Sequence, residues 1–452
     1  MVLGEVFERF VAESPVSVMA RALFENALPD EELDHLFHTT AEAQYTRTLL
    51  FSQVVDLMAL VVCNAQPSLS AAIRKRADRL GVTRKAVYDK INRIEPGLAE
   101  ALVRFGAERL GRVLEALTPP APPVIPGGRL RIVDGNHLPA TEHRLKPLRF
   151  TRSGALPGHA IVVFDPAVGL VTDVIACEDG HAQERSLTPA LLELVRDHDV
   201  WVADRNFCTT RLIAGILRRR ADVVIRQHKV VCPRPLGEVR ACGRCPTGAL
   251  AEQDVELVEG DRTFRLRRVT LRLDAPARDG DREIHILTSL SAERADAARV
   301  ADVYRGRWRI ESAFGELEAA LHSEVRALGH PRAGLFAFGV AVCAFDLLVV
   351  LKAAIGAAHA EPGSSVSGYH LAHEIGSATR GLSIAIAPTE WSVFGGLGAQ
   401  AMADWLRATA RRVRWAEFRK DPRGPKKPRP PRTSGVRMKH VSTKRLLDQA
   451  KM

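Results

Sequence analysis

"VWVADRNFCTTRLIAGILRRRADVVIR", Val200 to Arg226, decides the fold class. Four apolar residues run without a polar break into Asp204, the pattern of a strand covered on both faces. "TTRLIAGILRRR" then repeats its apolar residues at helical spacing, with the arginines gathered at its end. "DVVIR" is a second short buried strand. A strand, a helix and a strand within 27 residues build part of a sheet with helical crossovers, and the first strand delivers an aspartate to its carboxyl end.

Working upstream, "RLRIVDG" (129–135) reads as a strand that also ends on an aspartate, Asp134. "HAIVVFD" and "GLVTDVIAC" form a hairpin around "PAV", and "ERSLTPALLELVRD" is an amphipathic helix. The order β-β-β-α-β-α-β predicts a mixed five-stranded sheet of the ribonuclease H type, in which the first and fourth strands are central neighbours. Asp134 and Asp204 would then converge at one edge of the sheet. Downstream, helical patterning disappears between Ile225 and about Glu283, where "VELVEG" and "TFRLRRVTLRL" read as strands of a β-rich insertion. The strand "IHILTSL" follows, and then "YRGRWRIESAFGELEAAL" (304–321), read as one helix. On it Ile310, Phe314, Leu317 and Leu321 share an apolar stripe, with Arg305, Arg309, Ser312 and Glu316 opposite. Tyr304, Arg307, Glu311 and Glu318 line the edge of that stripe.

Before the Pro-rich linker "TPPAPPVIPGG" (118–128) the chain reads as helical. Within that part, Ala77, Leu80, Gly81, Val82 and Val87 have the spacing of a helix-turn-helix. Thr83 would cap the second helix and leave Arg84, Lys85, Tyr88 and Lys90 to reach a DNA groove. The expected organisation is therefore a helical N-terminal DNA-binding domain over 1–121 (helix-turn-helix at about 68–94), the first part of the catalytic core over 127–226, the insertion over 227–283, the core continued with a buried helix over 284–400, and a basic tail over 401–452.

Bulk properties narrow the function. The chain has 452 residues, a 46% hydrophobic fraction and seven scattered cysteines, which suits a globular protein of a reducing cytoplasm rather than a disulfide scaffold. No signal pattern opens it. The apolar stretch 333–358 contains Asp346 and Lys352 and is read as a buried core helix rather than a membrane span. The net charge of +11 is concentrated from Arg411 onward, where fifteen Lys/Arg meet three acids. Such a Pro-broken basic run is the composition of an arm held on polyanion. No nucleophile elbow, Walker loop or dinucleotide fingerprint is present, so nothing supports serine-hydrolase, ATP-dependent or dehydrogenase chemistry.

Asp134, Asp204 and Glu311 thus fall on two strand ends and a helix edge that could meet. Three carboxylates at one mouth repel one another unless a cation neutralises them, and hard oxygen ligands suit Mg²⁺ or Mn²⁺. Several other groups are open to two readings. His228, Cys232, Cys242 and Cys245 either form a zinc site, with "CGRC" as one ligand pair, or simply lie in the insertion. His137 is a surface histidine or a neighbour of the metals. Glu184 is a dipole-favoured helix start or an accessory part of the site.

The combination resembles the DDE transposases of bacterial insertion sequences, specifically the IS-four family. Tyr304, Arg307 and Glu311 match the family's Tyr-x2-Arg-x3-Glu-x6-Lys motif in register, Asp204 and Phe207 its Asp-x2-Phe/Tyr motif, and Asp134 and Gly135 its strand-end Asp-Gly. The motif's lysine is Glu318 here. The resemblance implies binding to the terminal inverted repeats of the element, cleavage of phosphodiester bonds and transesterification into target DNA with a two-metal mechanism, using Asp134, Asp204 and Glu311 as ligands of two Mg²⁺ or Mn²⁺ ions. It assigns Tyr304 and Arg307 to DNA phosphates and implies a homodimer or higher synaptic complex on double-stranded DNA, in a bacterial nucleoid-associated setting and away from membranes. A catalytically impaired, transposase-derived DNA-binding regulator is the alternative that Glu318 keeps open.

Overall fold

A computed structural model describes residues 4–46, 48–119, 121–277, 280–421 and 439–451. The most basic part of the expected arm, 422–438, and Pro120 of the linker lie outside the described residues.

The described residues form twelve strands: β1 (Arg129–His137), β2 (Gly154–Leu156), β3 (His159–Asp165), β4 (Leu170–Cys177), β5 (Asp199–Ala203), β6 (Asp222–Arg226), β7 (Arg234–Pro235), β8 (Arg240–Cys245), β9 (Gly248–Glu259), β10 (Arg262–Leu273), β11 (Glu283–Thr288) and β12 (His440–Ser442). Ten of them make one mixed sheet in the order β4-β3-β1-β5-β6-β11-β10-β9-β7, with β8 paired to β9. β1 lies antiparallel to β3 and parallel to β5, and β5 lies parallel to β6. The expected neighbours are therefore adjacent. Every residue of β3 and β5 is buried, which is why both read as unbroken apolar runs rather than alternating ones. One sheet face is covered by the helices Thr188–Leu194 and Thr210–Leu217, whose Leu191, Leu212 and Ile213 join Val133, Trp201 and Val223 in a single cluster. The other face, through β4, receives the helices Pro96–Leu117 and Pro331–Ala358.

Three features depart from the sequence reading. The sheet has ten strands rather than the expected five: β11 pairs antiparallel with β6, and β10, β9 and β7 of the insertion extend the same sheet outward. An open edge at β6 offers unpaired backbone groups, and the returning strand satisfies them. The stretch 304–321 is broken into two helices, Ala297–Arg305 and Trp308–Ala320. Between them the N–H groups of Arg307, Arg309 and Ile310 donate to carbonyls three residues back, tightening the turn at Gly306 and Arg307. Tyr304 and Arg307 consequently leave the helix that carries Glu311. The N-terminal helices, finally, share their core with the end of the chain: Phe7 packs on Trp391 at 4.8 Å, and the Asn26 side chain donates to the carbonyls of Phe394 and Leu397.

The 28-residue helix Pro331–Ala358 is the hub of that shared core and explains the apolar stretch. The mean hydropathy of its most apolar 18-residue window, 2.4, is high enough for a membrane span, yet 89% of that window is buried inside the protein. Asp346 in its middle is fully buried. One carboxyl oxygen accepts the Val171 N–H of β4 at 2.8 Å, and the other has no partner. Burial holds this acid well above the usual carboxylate range. Lys352, the second charge, pairs at 2.6 Å with Glu316, which is therefore half-buried rather than on the solvated stripe.

Candidate active site

The register of the two central strands places the first two acids. Val133 of β1 sits opposite Ala203 of β5, so the next residue along each parallel strand is Asp134 and Asp204. Asp134 accepts the Gly135 N–H at 3.0 Å, and Asp204 accepts the Asn206 N–H at 2.7 Å, which turns the chain as it leaves the strand. Phe207, the residue that follows, is buried and anchors that turn in the cluster beneath the sheet.

Arg307 brings in the third acid. Its guanidinium donates to Asp134 Oδ2 at 2.7 Å and to Glu311 Oε1 at 3.1 Å. The turn that separates the two helices directs Arg307 inward, where it is 8% exposed, while the Glu311 side chain keeps 41% of its surface in solvent. Tyr304 is also 8% exposed, and burial raises its phenol above the ordinary range. Arg307, assigned to phosphate by motif, thus faces the carboxylates, because a buried guanidinium needs acceptors of opposite charge.

Glu184 completes the group, and the strand-end motif alone did not reveal it. It opens a 3-10 turn (Glu184–Leu187) after β4. The neighbouring Arg185 donates to the Asn206 carbonyl at 2.8 Å, fastening that turn to the loop behind Asp204. A Cβ placed on Gly135 would come within 1.8 Å of Glu184 Oε1, so the carboxylate lies directly over the backbone beside Asp134. Burial first, and then repulsion from Asp204 and Asp134, pushes the Glu184 carboxyl up to about 7. Burial, opposed by Arg307 and reinforced by Asp204 and Glu311, pushes Asp134 up to about 6. The signal in the sequence was the glycine after the strand-end aspartate, the one residue that leaves room for this approach.

The donor set suits a hard divalent cation: the acids offer carboxylate oxygens only, and burial with mutual repulsion pushes two of them up, Asp134 to about 6 and Glu184 to about 7. Among the described residues no three His, Cys, Asp or Glu side chains stand close enough to hold a metal in this conformation, since Arg307 lies between Asp134 and Glu311. His228, Cys232, Cys242 and Cys245 likewise form no metal-binding group among the described residues, and Cys232 is exposed. His137 stacks on the buried His159 at 5.2 Å rather than on the acids.

Residues 125–345 match the transposase DDE domain. The matched domain contains Asp134, Asp204 and Glu311 and spans the sheet, its outward extension and the first half of the long helix. Among curated proteins no sequence matches the chain. A cryo-EM structure of a piggyBac transposase synaptic complex with hairpin DNA is similar at 10% identity and a TM-score of 0.38, covering 86% of this chain and 84% of that one.

Outside the matched residues, the expected helix-turn-helix is only partly arranged for DNA. Thr83 caps the helix Arg84–Ile91 by accepting the Ala86 N–H, Gly81 turns with φ +61, and Arg84 and Lys85 are exposed. Tyr88 is half-buried. Lys90 points away from any groove: its ammonium lies over the Phe37 ring at 4.0 Å, buried without a hydrogen-bond partner, and burial lowers its pKa. Ala77 is exposed, and Ala72 and Ile73 are buried in its place. Glu318, where the motif of the sequence resemblance has lysine, is exposed beside Ser323, Glu324 and Arg326, but Arg326 is already paired with Glu324 at 3.2 Å.

Proposed function

We propose that the chain is a DNA transposase of the IS-four type, with a ribonuclease H-like core, that cuts and rejoins phosphodiester bonds at the ends of its own element. The observation that carries this reading is the placement of Asp134 and Asp204 at the same level of two parallel central strands, with Arg307 tying Asp134 to Glu311. Asp134, Asp204 and Glu311 would hold magnesium or manganese, two ions per site; when bound, such ions activate an attacking oxygen and stabilise the leaving one.

The chain's own residues have distinct tasks. Gly135 and Asn206 hold the two aspartates by backbone hydrogen bonds. Arg307 neutralises Asp134 and Glu311 in the absence of substrate and is the cation nearest to a phosphate entering between them. Glu184, with its carboxyl near neutrality, is placed to take up or release a proton beside Asp134. Arg84 and Lys85 supply phosphate contacts at a distance from the chemistry. A homodimer or larger complex on double-stranded DNA would bring two ends together.

The test is incubation of the purified full chain with DNA carrying the flanking ends of its gene, with Mg²⁺ or Mn²⁺. End-specific breaks and joined products are expected from the wild type, and Asp134→Ala, Asp204→Ala and Glu311→Ala should abolish both while retaining end binding. A wild-type protein that binds the ends without cutting them, with Glu311→Ala binding equally well, would instead favour the impaired regulator.

A further inference from the structure

The loop leaving the candidate site carries the most exposed large apolar side chain among the described residues. Phe150 is 90% exposed. It lies between β1 and β3 in a segment without a single acidic residue from His143 to Phe164. Lys146, Arg149 and Arg152 around it are exposed, and among the described residues none of them is in an ion pair. Isolated surface hydrophobics are ordinary, but a ring left in water amid unpaired cations is the composition with which proteins hold nucleic acid, the cations on phosphates and the ring on a base.

The loop is fastened at its base. The His143 ring bonds the Ser153 carbonyl at 2.8 Å, and the Thr141 N–H donates to the Ala155 carbonyl at 2.8 Å. Leu148 is fully buried. The far end of the chain returns here: β12 pairs in parallel with β2, and the helix Thr443–Gln449 packs on the turn Lys146–Leu148. A Cβ on Gly154 would meet the His440 ring at 2.6 Å, so glycine permits that close approach. Lys439 and His440 thereby join the same exposed basic surface. Arg445 is anchored on Asp179 at 2.8 Å, which holds the returning segment in place. The loop is also tied to both elements of the candidate site. It starts where β1 ends, three residues past Asp134, and the Glu142 N–H donates to the Arg326 carbonyl beyond the Glu311 helix at 3.0 Å.

We infer that this basic, aromatic-tipped loop, backed by the returning C-terminal strand, is a DNA-end clamp: Lys146, Arg149, Arg152 and Lys439 hold the phosphates and Phe150 stacks on an unpaired base. The inference rests on the DNA reading above and names the surface and mode of contact. A rigid base with an unburied ring suits stacking, because the protein does not have to expose the ring in order to bind.

The test uses the full chain and two probes, a fully paired duplex and the same duplex with unpaired bases at one end, one of them 2-aminopurine. Phe150→Ala should weaken binding to the unpaired-end probe by about 5- to 150-fold, the range of one base–aromatic stack, and remove the quenching of 2-aminopurine. It should hardly change binding to the paired duplex, and Phe150→Trp should restore the quenching. Replacing Lys146, Arg149 and Arg152 together by Ala should lower the salt dependence of binding by roughly two to three phosphate contacts on both probes. Since all four side chains are exposed, folding is not at stake. Wild-type affinity of Phe150→Ala for the unpaired-end probe, or an equal loss on both probes, would overturn the assignment. If the wild type binds neither DNA probe, the DNA reading itself fails. If it binds both while Phe150→Ala matches it, only the clamp does.

Discussion

Replacing Asp346 by Asn separates an ordinary core acid from a protonated one. The carboxyl is fully buried, one oxygen accepts the Val171 N–H, and the other meets no donor. Its folded pKa lies well above the 3.8 of an exposed aspartate. The sign follows from linkage: a raised folded pKa means that the native state keeps a proton the unfolded chain has released. The contribution is fully present below pH 3.8 and is lost progressively as pH rises from there to the folded pKa. Through that window each pH unit removes about 1.4 kcal/mol from the wild type. The amide introduced by Asp346→Asn accepts the same N–H, does not titrate, and escapes this loss. Urea unfolding of wild type and Asp346→Asn from pH 5 upward should therefore give a stability difference that moves in favour of the variant as pH rises, by at most about 1.4 kcal/mol per unit and only until the folded pKa is passed. Asp346→Ala leaves the buried Val171 N–H unsatisfied and should cost about 1–3 kcal/mol more than Asp346→Asn at every pH. Parallel pH profiles for wild type and Asp346→Asn would refute the reasoning, because they would require an acid that titrates alike in both states.

Other outcomes follow from the site. Arg307→Gln removes the charge partner of the half-buried Asp134 and should destabilise the metal-free protein by about 1–3 kcal/mol, with added Mg²⁺ recovering part of the loss in a thermal melt; an unchanged melting temperature would count against the pair. Mn²⁺ affinity, read by calorimetry, should rise as pH climbs through 6 and 7, where Asp134 and Glu184 release their protons, and a flat profile would remove both from the site. Gly135→Ala should displace Glu184 and reduce cleavage while end binding persists. Lys90→Met should leave DNA affinity and its salt slope unchanged, whereas Arg84→Ala with Lys85→Ala should reduce the slope by about two contacts.

The strands and their two aspartates were legible because a strand buried on both faces announces itself as an apolar run, and a charge at its end is conspicuous. The adjacency of β1 and β5 followed from the order of elements alone. Other features depended on contacts between distant parts of the chain. Lys90 looked like a surface cation on the outward side of a short helix, and only the position of Phe37 turns it inward. Arg307 has helical neighbours on both sides, so its place in a tight turn, and with it the bridge to Asp134, could not be read from periodicity. Glu184 is fifty residues from Asp134 in sequence, and its closeness is set by packing over Gly135. The alternating strands of the insertion were recognised, but their partner was not, because a pattern of alternation says which side of a strand is buried and not which edge it joins.

The junction of β6 with β11 has an architectural consequence. The excursion leaves the sheet after Arg226 and re-enters opposite it, with Ile286 as the residue paired to Arg226. Departure and return are therefore neighbours on the same ladder, so a two-residue hairpin could close the chain there without moving β1, β5 or the acids they carry. Material of any length could have been spliced into that hairpin, or taken out again, while the sheet kept its order. The site and the extension are in this sense separable parts joined at a seam, and deleting the β7–β10 segment would ask what the extension adds.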